Sequence, residues 1–276
     1  MAEPNAAAAA PAAAATTAAT TTAATAATAT TGATATTAAT ATTAAAYADI
    51  AAPLGEFART IEHGPEVLPG TLLTDPRWLA ARVADTGRRW SHDDPRVNAT
   101  LWWYSASSTL VAAPLTMLLS AGVAPDPRPE RLTVSLQANG YLRAARSDRL
   151  STSATAFSEE LREAHEAVIA SLAEVSGAAP RALWAIASDS IAHRALEAGR
   201  AVGDAGRGCD LARVVSRPPL LPVRYSDVTA SGLTRRFVRR GSCCLIYVAT
   251  DGDKCVSCPR RTPGDRYAQL VRRTAS

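Results

Sequence analysis

The sequence predicts a predominantly helical α+β fold, with a multi-helix domain, one inserted β-hairpin and a small cysteine-rich module near the C-terminal end. Three observations support this prediction. Apolar residues recur at helical spacing over most of the middle of the chain. One short segment alternates between apolar and polar residues and is followed by Asn-Gly, which is typical of a hairpin. Four of the five cysteines fall within residues 243–258.

Composition divides the 276 residues into three predicted parts. Residues 1–46 are almost wholly Ala and Thr, and we predict a disordered tail because they carry almost no large side chains to bury. Residues 47–225 are predicted to form the mainly helical domain, and residues 226–276 the cysteine module. No stretch approaches the roughly 20 apolar residues that cross a bilayer, and the N-terminus lacks a secretory signal. We therefore expect a cytoplasmic protein with no transmembrane segment.

The first two predicted helices cover residues 48–62 and 77–89. Pro53 and Gly55 interrupt the early part of the first helix. The second follows Thr74-Asp-Pro, a good helix start in which Thr74 or Asp75 caps the helix and proline takes its first position.

A long apolar stretch, residues 95–121, predicts a buried helix. It contains Trp102, Trp103 and Tyr104, which we expect to pack in the core; the alternative is that some of them line a ligand pocket. Proline removes a backbone donor and clashes with the preceding turn, so Pro114 is expected to kink or divide this helix.

The predicted hairpin pairs a strand at residues 132–136 with a return strand that begins at Tyr141, joined by a turn at Asn139-Gly140. Two further helices are predicted, one from Ser158 or a nearby residue to 174 and one over residues 180–197.

Gly199–Gly208 is expected to be a loose connection. Its glycines lack the spacing and the preceding strand of a dinucleotide-binding loop. Two further short strands are expected, at residues 233–238 and 244–248.

The four clustered cysteines form an adjacent pair, Cys243-Cys244, and a Cys255-x-x-Cys258 pair. In a chain without an export signal this grouping favours a metal over disulfides. Successive side chains on a strand point to opposite faces, so both adjacent thiols reach one site only if the backbone turns there. Asp251-Gly252 predicts a hairpin that brings the two pairs together.

The kind of metal is left open by the spacing alone. Structural zinc sites are normally built from more widely spaced pairs, whereas a two-iron cluster is wider than a single ion and takes neighbouring ligands more easily. Structural zinc, free thiols and disulfides remain alternatives. Cys209 lies apart and is expected to be a loop or semi-buried thiol. The four histidines, His63, His92, His165 and His193, also lie far apart. His165 and His193 fall on predicted helices and are expected to be structural rather than ligands.

The motif C-C-x10-C-x-x-C-P, which follows an arginine-rich approach, resembles the C-terminal signature of the FhuF-type ferric-siderophore reductases, which are cytoplasmic [2Fe-2S] proteins. A looser similarity extends over residues 104–263, mainly in the helices at 107–122 and 158–196. The resemblance implies that the four ligands of a [2Fe-2S] cluster are Cys243, Cys244, Cys255 and Cys258.

The resemblance also implies an enzyme, a one-electron oxidoreductase that reduces ferric iron in siderophore complexes and releases ferrous iron. No catalytic residue beyond the cluster ligands is expected. Since the chain has no nucleotide-binding motif, electrons are expected from an external donor, a ferredoxin or a soluble reductant. The alternatives are an Fe-S relay or sensor that does not act on siderophores, and a zinc-stabilised module that contacts nucleic acid.

The charge of the C-terminal region bears on these alternatives. From Gly232 onward the sequence contains ten basic residues and three acidic ones. The helical domain carries no basic stripe, so we expect no nucleic-acid partner. Four of the basic residues lie close to the cysteines in the sequence: Arg239, Arg240, Arg260 and Arg261. They are expected to stabilise an anionic cluster and raise its potential; a solvated face, donor docking or contact with an anionic siderophore are the alternatives.

Overall fold

Helices make up most of the described chain, which comprises residues 43–275 of a computed structural model. The α-helices of this part are α1 (residues 43–54), α2 (Pro76–Trp90), α3 (Pro95–Ala121), α4 (Ala154–Ser176), α5 (Pro180–Ala201), α6 (Ala205–Val215), α7 (Ile246–Thr250) and α8 (Pro263–Ala275). The strands are β1 (Leu68–Pro69), β2 (Ala124–Pro125), β3 (Leu132–Leu136), β4 (Leu142–Ser147), β5 (Leu150–Ser151), β6 (Tyr225–Ala230) and β7 (Leu233–Val238). The predicted α+β, mainly helical class is confirmed.

Two aspartates begin the helices that form the centre of the fold. Asp75 accepts a hydrogen bond from the backbone N–H of Trp78 at 2.7 Å and so caps α2. Asp94 caps α3 in the same way, and each helix has proline in its first turn. Both predicted helices are confirmed, and α3 continues through Pro114 rather than dividing there.

The core is organised around α3, which is buried along most of its length. It packs against α5, α2 and α4. Trp102 and Trp103 are fully buried, and the Trp103 indole donates a hydrogen bond to the carbonyl oxygen of Leu183 at 2.9 Å. Their predicted core position is confirmed, whereas the neighbouring Tyr104 is only partly buried.

The helices that flank this core differ from the prediction at their ends. α1 gives way to a 3-10 helix, Gly55–Ile61, where Gly55 adopts a φ of +54°. α4 starts earlier than expected because Ser153 is its N-cap, accepting from the Ala156 N–H at 3.1 Å. Ser158 instead lies inside the helix and donates its hydroxyl to the carbonyl oxygen of Val215.

The expectation of a loose connection at Gly199–Gly208 is wrong. Gly199 lies in the last turn of α5 and Gly208 in α6. A Cβ on Gly199 would lie 2.9 Å from the Cα of Gly208, and a Cβ on Gly208 would overlap the carbonyl oxygen of Ala195. The two glycines therefore allow these helices to pack backbone against backbone.

Three small antiparallel sheets complete the fold. β3 pairs with β4 and with β1, and the register places Leu132 opposite Ser147. The turn of this hairpin ends at Gly140, whose φ is +82°, so the predicted hairpin is confirmed. β2 pairs with β5. β6 pairs with β7 through a turn at Ser231-Gly232, and α8 packs on this pair.

Of the predicted disordered tail, residues 1–42 lie outside the described residues and residues 43–46 belong to α1. The predicted boundary between residues 225 and 226 stays a prediction. Across the described residues, none of the helices has the length and apolar character needed to span a lipid bilayer.

Candidate metal centre

The four clustered cysteines lie between β7 and α8, where their thiols make two pairwise contacts. The Sγ atoms of Cys243 and Cys258 lie 3.8 Å apart. The thiol of Cys255 donates a hydrogen bond to the sulfur of Cys244. Each contact joins one member of the adjacent pair to one member of the Cys-x-x-Cys pair, so the thiols form two crossed pairs.

The backbone brings the cysteines together in a different way from the predicted hairpin. The expected strand at residues 244–248 is wrong, because the short helix α7 begins at Ile246, with Leu245 as its N-cap. Leu245 adopts a φ of 62° and Asp251 a φ of 47°, so the chain reverses at both ends of α7. The required turn at the adjacent cysteines is therefore present, and Leu245 provides it.

Backbone donors point at the two adjacent sulfurs. The N–H of Leu245 donates to Cys243, and the N–H of Ile246 donates to Cys244. Burial raises the pKa of the Cys243 thiol. The hydrogen bond from Cys255 lowers the pKa of Cys244 to about 5, with help from the Ile246 N–H and the Arg240 guanidinium. Donating that hydrogen bond raises the pKa of Cys255.

Arg240 is the charged side chain in contact with the thiols. Its side chain is 2% exposed, and its Nη1 donates to the Cys255 sulfur at 3.6 Å. The guanidinium lies over the ring of Tyr104, 5.0 Å from the ring centroid. Its Nε is 3.5 Å from a carboxylate oxygen of Asp189. A buried cation needs such partners, because an unpaired charge in the interior is costly.

Asp189, on α5, also holds the chain that leads into the cysteines. Its carboxylate accepts hydrogen bonds from the backbone N–H groups of Gly241 and Ser242, both at 2.9 Å, and from the Ser242 hydroxyl at 2.5 Å. This residue was missed in the sequence. The available signal was an aspartate within an otherwise apolar helix, since a carboxylate is rarely buried unless it is paired.

The remaining predicted arginines have other contacts. Arg260 donates to the hydroxyl of Tyr247 at 3.0 Å. Arg261 donates to the carbonyl oxygen of Cys255 at 3.0 Å and pairs with Asp265 at 2.7 Å. Arg239 is exposed. Of the four arginines, Arg240 is therefore the one that the fold places against a thiol.

Neither Cys209 nor the histidines belong to this group of thiols. Cys209 is buried in α6, so the expectation of a loop or semi-buried thiol is wrong. His63 hydrogen-bonds the hydroxyl of Thr133 at 3.0 Å, and His92 accepts from a nearby backbone N–H. His165 is buried against two tryptophan rings. His193 lines a cavity.

The donor set can be compared with the needs of a metal centre. Two thiolates bound at about 2.3 Å to one tetrahedral metal lie about 3.8 Å apart. The Cys243–Cys258 separation has this value. In a four-cysteine [2Fe-2S] cluster each iron takes two cysteines, so two crossed thiol pairs fit such a centre. For a single ion, no set of three or more His, Cys, Asp or Glu side chains is found within residues 43–275.

The thiol pairs are shielded unequally. Cys244 and Cys258 are 4% and 1% exposed, whereas Cys243 is partly buried and Cys255 is exposed. Each crossed pair therefore joins a buried sulfur to a more accessible one.

Comparison with known families identifies the segment that contains these thiols. Residues 240–260 match the family model described as the FhuF 2Fe-2S C-terminal domain. The match begins at Arg240 and includes all four clustered cysteines. A search of curated proteins finds no match to the chain. The family match confirms the predicted resemblance to FhuF-type proteins and, through the description of that domain, the [2Fe-2S] cluster as the cofactor.

Proposed function

We propose that this protein is a one-electron reductase of ferric iron held in siderophore complexes, with Cys243, Cys244, Cys255 and Cys258 as the ligands of its [2Fe-2S] cluster. The observation that carries the proposal is the pair of crossed thiol contacts inside the segment that matches the FhuF 2Fe-2S domain. When bound, a four-thiolate [2Fe-2S] cluster supplies electron transfer one electron at a time.

Hydrogen-bond donors around the cysteines stabilise negative charge on the sulfur atoms. The N–H groups of Leu245 and Ile246 and the guanidinium of Arg240 all donate to cysteine sulfurs. Hydrogen bonds and positive charge at the sulfurs stabilise the more negative, reduced state and so raise the reduction potential. The contacts of Arg240 with Asp189 and Tyr104 fix the position of the guanidinium.

The proposed reaction transfers one electron from an external donor to one ferric ion. An external donor, a ferredoxin or a soluble reductant, gives up one electron, and one ferric ion in the chelate becomes ferrous. Hard oxygen chelators hold the ferric ion far more tightly than the ferrous ion, so the iron is then released. This chemistry needs no general acid, general base or nucleophile, and no catalytic residue is proposed beyond the cluster ligands. The cytoplasm, with its supply of reductants, is the proposed location.

The ligand assignment is tested by comparing Cys244→Ser with Cys209→Ser after anaerobic purification with iron and sulfide. We expect the wild-type protein and Cys209→Ser to be brown, with visible absorption that dithionite bleaches. Cys244→Ser should lose most of this absorption and of the EPR signal of the reduced state. An unchanged spectrum in Cys244→Ser would contradict the assignment, and a colourless, zinc-containing wild type would contradict the Fe-S centre.

The reductase activity is tested with the dithionite-reduced protein after removal of excess reductant. A ferric siderophore should reoxidise the protein, and a ferrous-specific chelator should detect about one ferrous ion per cluster, since each cluster carries one electron. If the reduced protein stays reduced in the presence of ferric siderophores but is reoxidised by an electron-accepting protein, the relay function replaces the reductase.

A further inference from the structure

A polar cavity lies beside the site, between α3, α5 and the β3–β4 hairpin. Its volume of about 410 Å³ falls within the range of roughly 300–1,000 Å³ that is usual for small-molecule sites. Helix α3 contributes Tyr104 and several hydroxyl side chains, α5 contributes Asp189 and His193, and the hairpin contributes Arg143.

The cavity is separated from the thiols by one side chain. Tyr104 and Asp189 line the cavity, and both contact Arg240 from that side. Arg240 in turn donates to the sulfur of Cys255 at 3.6 Å. A molecule held in the cavity would therefore lie next to the residues that support the proposed cluster.

The charged groups of the cavity favour an anion. Three guanidinium groups line it, those of Arg59, Arg143 and Arg194, against the carboxylates of Asp189 and Glu197. The Asp189 carboxylate is already taken up by Arg240 and by the chain before Cys243. Glu197 pairs with Arg194 at 2.5 Å.

Two of the arginines lie towards solvent. Arg59 is exposed, and Arg143 is partly buried, with its Nε donating to the carbonyl oxygen of Glu62 at 3.1 Å. The carboxylate of Glu62 is 4.0 Å from the Arg143 guanidinium, at the limit of an ion pair. An incoming anion would meet these two guanidiniums first.

Neutral polar groups complete the lining. Burial, together with the charges of Arg240, Arg194 and Arg200, lowers the pKa of His193 to about 4. Its ring is therefore neutral at pH 7 and carries one donor and one acceptor nitrogen. Hydroxyls of Ser105, Ser108 and Thr109 line the same space, which suits a ligand rich in oxygen atoms.

We propose that this cavity is the docking site for an anionic, oxygen-donor chelate of ferric iron. The inference rests on the proposed reductase function and specifies its substrate class: a chelate that carries net negative charge. The guanidiniums of Arg59 and Arg143 hold the anion through charge-assisted hydrogen bonds. Arg240 lies between this lining and the cysteine loop, since it contacts Tyr104 on the cavity side and the Cys255 sulfur on the other.

The test uses gallium(III) chelates, because gallium(III) has the charge of ferric iron but is not reduced. A gallium tris-catecholate, which is trianionic, and the cationic gallium chelate of desferrioxamine B are titrated into the cluster-loaded protein by calorimetry. The wild type is compared with the double variant Arg59→Gln/Arg143→Gln and with Arg213→Gln, an exposed arginine outside the cavity lining.

We expect the anionic chelate to bind the wild type and Arg213→Gln equally, and the double variant at least about tenfold more weakly because two charged donors are lost. The cationic chelate should bind the wild type about tenfold more weakly than the anionic one. Equal binding of the anion by the wild type and the double variant, no binding of the anion, or preference for the cation would overturn the proposal.

Two further outcomes distinguish a failure of the docking-site proposal from a failure of the reductase function on which that proposal rests. If ferric chelates are reduced at the same rate and the same KM by the wild type and the double variant, and gallium binding is also unchanged, the reductase stands and the cavity is not its docking site. If gallium binding depends on the two arginines but the reduced protein is not reoxidised by the ferric chelate, the docking site stands and the reductase function fails.

Discussion

Ser242 donates two hydrogen bonds to one carboxylate oxygen of Asp189, from its backbone N–H at 2.9 Å and from its hydroxyl at 2.5 Å. The other carboxylate oxygen accepts from the N–H of Gly241 at 2.9 Å. Asp189 belongs to the core helix α5, and Ser242 directly precedes Cys243. This pair of residues therefore fixes the cysteine loop to the helical core.

Replacing this carboxylate should loosen the loop. Asp189→Asn keeps the size of the side chain, but its amide cannot accept all the hydrogen bonds that the carboxylate accepts, and it leaves Arg240 without its counter-charge. We expect a loss of about 1–3 kcal/mol in the free energy of unfolding and a lower iron content per protein chain. Urea unfolding and iron analysis measure the two effects.

The matched control is Asp210→Asn, an exposed aspartate that pairs with Arg213 on the surface of α6. Exposed ion pairs contribute little to the free energy of unfolding, so this variant should have the stability and the iron content of the wild type. If Asp189→Asn and Asp210→Asn retain the same iron and the same stability, Asp189 does not anchor the loop.

The charge of Arg240 should set the reduction potential. Arg240→Gln removes the cation that contacts Cys255 while keeping a hydrogen-bond donor nearby. We expect the midpoint potential to fall by about 60 mV, equivalent to about 1.4 kcal/mol for one electron. Arg239→Gln, at an exposed neighbouring position, is the control and should change it little. Equal potentials in the two variants, measured by EPR-monitored titration, would show that the contact does not tune the centre.

His165 should make stability depend on pH. Burial lowers its pKa from 6.5 to about 4, and neither ring nitrogen has a hydrogen-bond partner within the described chain. Between these pH values the unfolded chain binds a proton that the folded chain does not. The neutral His165 ring therefore makes its full contribution to the free energy of unfolding above about pH 6.5. As the pH falls from 6.5 to 4, that free energy decreases by about 3 kcal/mol because of this histidine.

His165→Phe keeps the packing against Trp103 and Trp184 and removes the titrating group. We expect a shallower fall in the free energy of unfolding between pH 6.5 and 4. The fall that remains comes from His193 and His63, whose pKa values are also lowered by burial. His92→Gln should retain the slope of the wild type. The idea fails if urea unfolding gives the same slope for His165→Phe and the wild type.

Gly208 should tolerate no side chain. A Cβ there would overlap the carbonyl oxygen of Ala195, so Gly208→Ala must push α5 and α6 apart. We expect a loss of about 1–3 kcal/mol or more in the free energy of unfolding. Gly264→Ala on α8, where nothing lies within 4 Å of the new Cβ, should be neutral or slightly stabilising. Thermal unfolding measures the stability of the two variants. If both lose the same stability, close packing of α5 and α6 is not the cause of the loss in Gly208→Ala.

Local signals were enough to predict much of this fold. Asp75 and Asp94, each followed by proline, defined the start of α2 and α3. Asn139-Gly140 defined the β3–β4 turn. In each case the residues that determine the structure are neighbours in the chain, so no knowledge of distant contacts was needed.

The errors arose where distant contacts decide the structure. Gly199 and Gly208 look like loop residues until their contact across two helices is known. Residues 246–250 are apolar enough for a strand, and the left-handed backbone of Leu245 turns them into a helix. Asp189 lies 54 positions from Cys243 in the numbering, so its role at the cysteine loop had no local signal.

The hydrogen bonds between Asp189 of α5 and the cysteine loop have a consequence for thermal unfolding. A redox centre carried on a separate, weakly attached appendage would bleach well before the helices melt. Here the loop is fastened to a helix that itself packs against α3 and α6, so loosening either partner disturbs the other. On heating, the visible colour and the helical circular dichroism should therefore disappear along one shared curve.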